Sequence, residues 1–105
     1  MIGLVRRKDL TQMVIKLLTI DLLLPGCSSL KEKRFALSSL KTRVRRKYNV
    51  SVAEVDYHDK WQRSRLAVVM VGVDRKSVDA GCDKVLRFVE DDHRVQITDV
   101  QREIC

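Results

Sequence analysis

Over residues 14–24 apolar and polar side chains alternate. Val14, Leu18, Ile20, Leu22 and Leu24 share one face, with Thr19 and Asp21 on the other, the period-two pattern of a strand buried on one side. Pro25-Gly26 ends that run. Ser29 and Glu32 have the spacing of a capping box, in which each side chain satisfies a backbone amide at the start of a helix. Leu30, Leu37, Leu40, Val44 and Tyr48 then recur at helical spacing, which predicts a helix to about Lys47. Residues 50–57 read as a second strand, 58–63 as a polar connection and 66–73 as a third strand. Asp74 is placed to cap a second helix with Val78, Cys82, Val85, Leu86 and Val89 on its inner face, Asp91-Asp92 ends it, and 95–104 read as a last strand. The order β-α-β-β-α-β predicts a ferredoxin-like α+β fold: a four-stranded antiparallel sheet, two helices on one face and the other face open. Residues 1–12 read as an N-terminal extension, ahead of a single domain over 13–105.

Composition narrows the function classes. A chain of 105 residues with 45% hydrophobic and only 5% aromatic residues builds its core from Leu, Val and Ile. No stretch reaches the roughly 18–20 apolar residues needed to span a bilayer, and the N-terminus lacks a cleavage-type ending, so a cytoplasmic protein without a membrane role is expected. Cys27, Cys82 and Cys105 are odd in number and widely spaced, which fits free thiols in a reducing compartment and gives no zinc-ligand pattern. The glycines form no phosphate-cradling loop, and His58, flanked by Asp56 and Asp59, has no nucleophile paired with it. The reading is therefore of a non-enzyme with no cofactor, no metal and no small-molecule substrate.

The formal charge of +7 favours a polyanionic partner, although charge speaks to association and not to fold. Lys31, Arg34, Lys41 and Arg45 fall along one stripe of the first helix, with Arg46 alongside, and Glu32 is that helix's only acid. Such a stripe can meet successive phosphates; it can also be a solvated helix face whose long side chains lie over apolar edges. Phe35 projects from the same polar side, either to stack on a base or to pack under a neighbouring segment. The connection supplies Lys60, Trp61 and Arg63 as further candidate RNA contacts. The two central strands, first and third, carry no aromatic residue, which argues against base stacking on the sheet itself. An alternative is a protein-interaction module, with Ile15, Leu17, Thr19 and Leu23 on the open face as a homodimer interface.

Three segments carry a resemblance. Ser29-Leu30-Lys31-Glu32-Lys33-Arg34, then Asn49-Val50-Ser51-Val52-Ala53-Glu54-Val55-Asp56, then Trp61-Gln62 resemble the signature segments of the YlxP-like family of small bacterial proteins. The similarity runs from residue 13 to about 104 and departs from the family pattern at Leu23, Phe35 and Tyr57-His58. It implies a ferredoxin-like fold and a cytoplasmic bacterial protein whose genes typically sit among those for translation and ribosome maturation. It implies no established activity. Structured RNA or a ribosomal subunit is accordingly the expected partner.

Overall fold

The computed structural model describes residues 13–105; the extension read at residues 1–12 lies outside the described residues. The order is β1 (Val14–Leu23), α1 (Leu30–Lys47), β2 (Val50–Asp56), β3 (Arg63–Gly72), α2 (Arg75–Glu90) and β4 (Gln96–Ile104). The strands lie in the order β2-β3-β1-β4, all neighbours antiparallel. This is the ferredoxin-like α+β fold that the alternation predicted. The main boundary difference is at β3, which begins at Arg63 and not at Leu66, because Leu23 pairs with Arg63 and Leu22 with Ser64. The segment between the two strands is therefore residues 57–62, where the predicted strands leave 58–65.

Both helices start where the sequence places them. Ser29 Oγ accepts the Glu32 amide at 3.1 Å, and Asp74 Oδ1 accepts the Ser77 amide at 2.8 Å. Glu32 reaches back one residue further than an ideal capping box: it accepts from the amide and hydroxyl of Ser28, at 2.9 and 2.6 Å. These bonds hold the Glu32 carboxyl below its ordinary pKa. Gly81 in α2 faces Met70 of β3; a side chain there would meet the Met70 sulfur at 2.6 Å, so glycine lets helix and strand approach closely.

Leu18, Ile20, Leu22 and Leu24, Leu66 and Val68, Leu37, Leu40 and Val44, and Val78, Val85 and Val89 form a core between the sheet and the two helices. Two lysines share it. Lys16 lies in the inward register of β1 and reaches Asp79 of α2 at 2.7 Å. Lys33, on the Leu37–Leu40–Val44 side of α1, is 1% exposed. Its ammonium meets Glu54 of β2 at 2.9 Å and the Tyr57 carbonyl at 2.5 Å, while Ser64 donates to the same Glu54 oxygen at 2.7 Å. A buried ammonium is tolerated only when paired and hydrogen-bonded in this way. The cluster ties α1 to β2, β3 and the connection between those strands.

Candidate nucleic-acid interface

Helix α1 crosses the β2 side of the sheet and carries eight lysines and arginines against one acid, Glu32. The structure separates them into three groups. Lys33 and Arg43 turn inward to Glu54 and Asp92, and Lys47 lies 5.0 Å from the Phe88 ring centroid, where its charge meets the aromatic face. Arg45 is exposed, but it donates to the Val52 carbonyl of β2 at 2.6 Å, so the fourth member of the predicted stripe is tied to the sheet. Lys31, Arg34 and Lys41 make no ion pair or hydrogen bond among the described residues; Lys31 and Arg34 are exposed and Lys41 half-buried. Arg46 is equally unpaired, on the flank beyond Thr42. From Lys31 to Lys41 the helix rises about 15 Å, enough to follow two or three phosphates along a strand.

Outside α1, Lys16 and Arg75 pair with Asp79, Arg65 with Asp21 and Asp56, Arg94 with Asp92, and Arg102 with Asp83, while Lys60, Arg63, Lys76, Lys84 and Arg87 have no ion pair among the described residues. Lys31, Arg34, Lys41, Arg45, Arg46 and Lys47, more than half of the cations without an ion pair among the described residues, lie on α1, whose only acid is Glu32. Phe35 stands beside these cations, 75% exposed. With Lys31, Pro25, Cys27, His93 and Arg94 it lines a concave site of about 600 Å³ at the amino end of α1. Cys27 is buried there, and burial pushes its thiol pKa up, which makes it a poor nucleophile.

The β2–β3 connection is firmly built. Tyr57 adopts a left-handed backbone, φ 64°, and its carbonyl accepts both Lys33 Nζ and the Lys60 amide. Gln62 donates to the carbonyls of Pro25 and Cys27, at 3.3 and 3.0 Å, and its own carbonyl accepts the Leu24 amide at 2.9 Å. These bonds bring the connection to the end of the molecule where α1 begins. Arg63 lies over the Tyr57 ring at 4.3 Å from its centroid and Arg65 at 5.2 Å. Lys60 and Trp61 are exposed, and Lys60 makes no ion pair among the described residues. His58 lies within hydrogen-bonding distance of the Glu54 carbonyl, at 3.1 Å, and His93 sits across the groove; among the described residues no group of three or more His, Cys, Asp or Glu could hold a metal ion.

The open sheet face is divided. Towards the connection it is polar, where Arg65 meets Asp21 at 2.6 Å and holds that carboxyl below its usual pKa. At the opposite end Ile15 and Leu17 of β1 lie in register with Val71 and Val69 of β3, of which the two valines are exposed. Thr19 pairs with Ala67 in the middle and Leu23 with Arg63 at the polar end, so the candidate interface residues are not one continuous apolar patch.

A further cluster had no signal in the sequence pattern. Asp92, in the turn after α2, is 7% exposed and accepts from the Arg94 amide at 2.9 Å and guanidinium at 2.8 Å, and from Arg43 of α1. The Arg94 hydrogen bonds are the main reason that its carboxyl stays far below the ordinary carboxylate range. Because the folded-state pKa lies below the unfolded one, this stabilisation is complete above about pH 4–5 and is withdrawn as pH falls through the ordinary aspartate pKa towards the folded one. Asp92→Asn should therefore lower the melting temperature at pH 7 and flatten its fall between pH 5 and 2. Parallel melting curves for the two proteins would mean that Asp92 is not linked to folding.

These features define a small ferredoxin-like α+β domain with a cationic helical ridge next to an aromatic-bearing turn. No helix among the described residues is long and apolar enough to cross a membrane. The chain belongs to the family described as "Protein of unknown function (DUF503)", whose match covers residues 15–102. It is also 40% identical over 62 residues to the "Uncharacterized protein YlxP" of Bacillus subtilis (strain 168), a match covering 59% of this chain and 67% of that relative. The YlxP-like resemblance read from Ser29–Arg34, 49–56 and Trp61-Gln62 is thus borne out at the level of family.

Proposed function

We propose that the protein is a non-catalytic, cytoplasmic RNA-binding module that engages structured RNA, of the kind a ribosomal particle presents, through the outer ridge of α1. The observation that carries this reading is the uneven pairing of charge. Five cations outside α1 have acidic partners and Lys60, Arg63, Lys76, Lys84 and Arg87 have none, whereas on the single helix α1 Lys31, Arg34, Lys41 and Arg46 have neither an acidic partner nor a hydrogen bond among the described residues. Charges left unopposed on a rigid helix attract a polyanion and read its backbone geometry more than its sequence. A role in ribosome maturation or translation is the setting that the family resemblance implies.

The test is a salt titration of binding to a structured ribosomal RNA fragment. Three or four phosphate contacts should give a slope of log K against log salt between about −2 and −3, taking the coefficient for single strands. That slope corresponds to roughly 15- to 50-fold weaker binding at 200 mM than at 50 mM salt. Binding that ignores salt would overturn the proposal.

A further inference from the structure

We infer that the cleft between Trp61 and Arg63 seats one unpaired RNA base. The inference rests on the RNA reading above and deepens it, adding base stacking to a surface that would otherwise track only phosphates.

Trp61 is the chain's only tryptophan and is 53% exposed at the tip of the β2–β3 connection. An indole at the surface forgoes the burial that usually makes tryptophan stabilising, so its place has to be explained by something other than the core. Mobility does not explain it. The backbone on either side is pinned by the Lys33 and Lys60 bonds to the Tyr57 carbonyl and by the Gln62 bonds to Pro25, Cys27 and Leu24. The indole is thus presented by a framework already ordered, which lowers the entropy cost of binding.

Its neighbour is equally prepared. Arg63 rests on the Tyr57 ring and donates to the Tyr57 hydroxyl at 3.3 Å, so its planar guanidinium has a fixed orientation. Trp61 and Arg63, together with Asp59, Lys60 and Gln62, line an open cleft of about 340 Å³. Aromatic and guanidinium planes are the two surfaces on which splayed-out bases stack. Lys60 stands next to them for the accompanying phosphate, and Asp59 offers an acceptor to an exocyclic amine. A base held in a duplex cannot enter such a cleft, so the site selects RNA with unpaired nucleotides.

The experiment measures fluorescence-polarisation affinities for two probes, a 12-nucleotide single-stranded RNA and the blunt duplex of the same sequence, with native protein, Trp61→Ala and Trp61→Phe. Intrinsic tryptophan emission is followed in parallel, and circular dichroism confirms that the variants fold. The expected result is that Trp61→Ala weakens single-strand binding by roughly 5- to 150-fold, the range of one lost stacking contact. Duplex binding should change less than about twofold, Trp61→Phe should recover most of the loss, and single-stranded RNA should quench the native emission. Unchanged single-strand affinity in Trp61→Ala, with both probes still bound by the native protein, overturns the base seat and leaves the ridge reading standing. Failure of the native protein to bind either probe overturns both.

Discussion

Lys33→Ala is expected to destabilise the fold by about 3–5 kcal/mol, the cost typical of removing one member of a buried ion pair. Lys33 is 1% exposed, and the Glu54 carboxylate that it meets is also largely withdrawn from water. Truncation leaves that carboxylate beside Ser64 with its counter-charge gone and removes the donor to the Tyr57 carbonyl. It also opens a cavity beneath α1. A domain of this size has about 5–15 kcal/mol of stability in all, so the variant should unfold at a much lower urea concentration. The companion change Lys33→Met with Glu54→Gln keeps the volume, removes both charges and leaves an acceptor for Ser64. It should recover most of the loss, since an apolar replacement of a buried pair is often close to neutral. Equal urea midpoints for native protein and Lys33→Ala would show that the pair contributes nothing net.

The second large effect is on binding. The triple variant Lys31→Glu, Arg34→Glu, Lys41→Glu is expected to lose RNA affinity by at least about 100-fold at 50 mM salt. Each unit charge near a phosphate contributes on the order of 1 kcal/mol even in water, and reversal turns three attractions into three repulsions. The residual salt slope should shrink to about −0.7 or less in magnitude, the share of the one remaining ridge cation, Arg46. The three side chains make no ion pair or hydrogen bond among the described residues, so the melting temperature should stay near the native value. Arg45 is omitted because its bond to Val52 belongs to the sheet, and reversing it would mix a structural effect with an electrostatic one. Co-sedimentation of the native protein and the variant with ribosomal subunits reads the same effect in the proposed setting. Retention of binding by the triple variant would move the RNA surface away from α1.

The elements were legible because the physical signals agreed with one another. Alternation at Leu18, Ile20 and Leu22 set the register of β1, and Ser29 and Asp74 marked the two helix starts as capping side chains. The same periodicities also place two lysines on the inward faces. Lys33 stands four residues before Leu37, and Lys16 two residues before Leu18, so both were written into the inward face. Hydropathy suggests that a lysine faces solvent, whereas position shows that these two do not. Helical spacing placed Lys31, Arg34, Lys41 and Arg45 on one ridge, but a helix taken alone gives no information about which carbonyl lies within reach of Arg45. The Asp92 cluster was not legible at all: Arg43 lies 49 residues away, and no local pattern predicts such a meeting. Tyr57 over Arg63 likewise depends on the left-handed turn that brings the ring back across β3.

The bond from Arg45 to Val52 has a consequence for self-assembly. A sheet ends where a row of backbone donors and acceptors meets water, and such a row is a template for a strand from another molecule. At the β2 border Arg45 occupies one of those acceptors and places a charged side chain across the approach. The β4 border is guarded differently: its strand is mostly polar, and its pairing with β1 shifts register between Asp21 and Leu22. Both borders thus carry features that oppose lateral pairing and disfavour the fusing of sheets into fibrils. An Arg45→Thr substitution would remove the guard at one border and expose the concentrated protein to that fate.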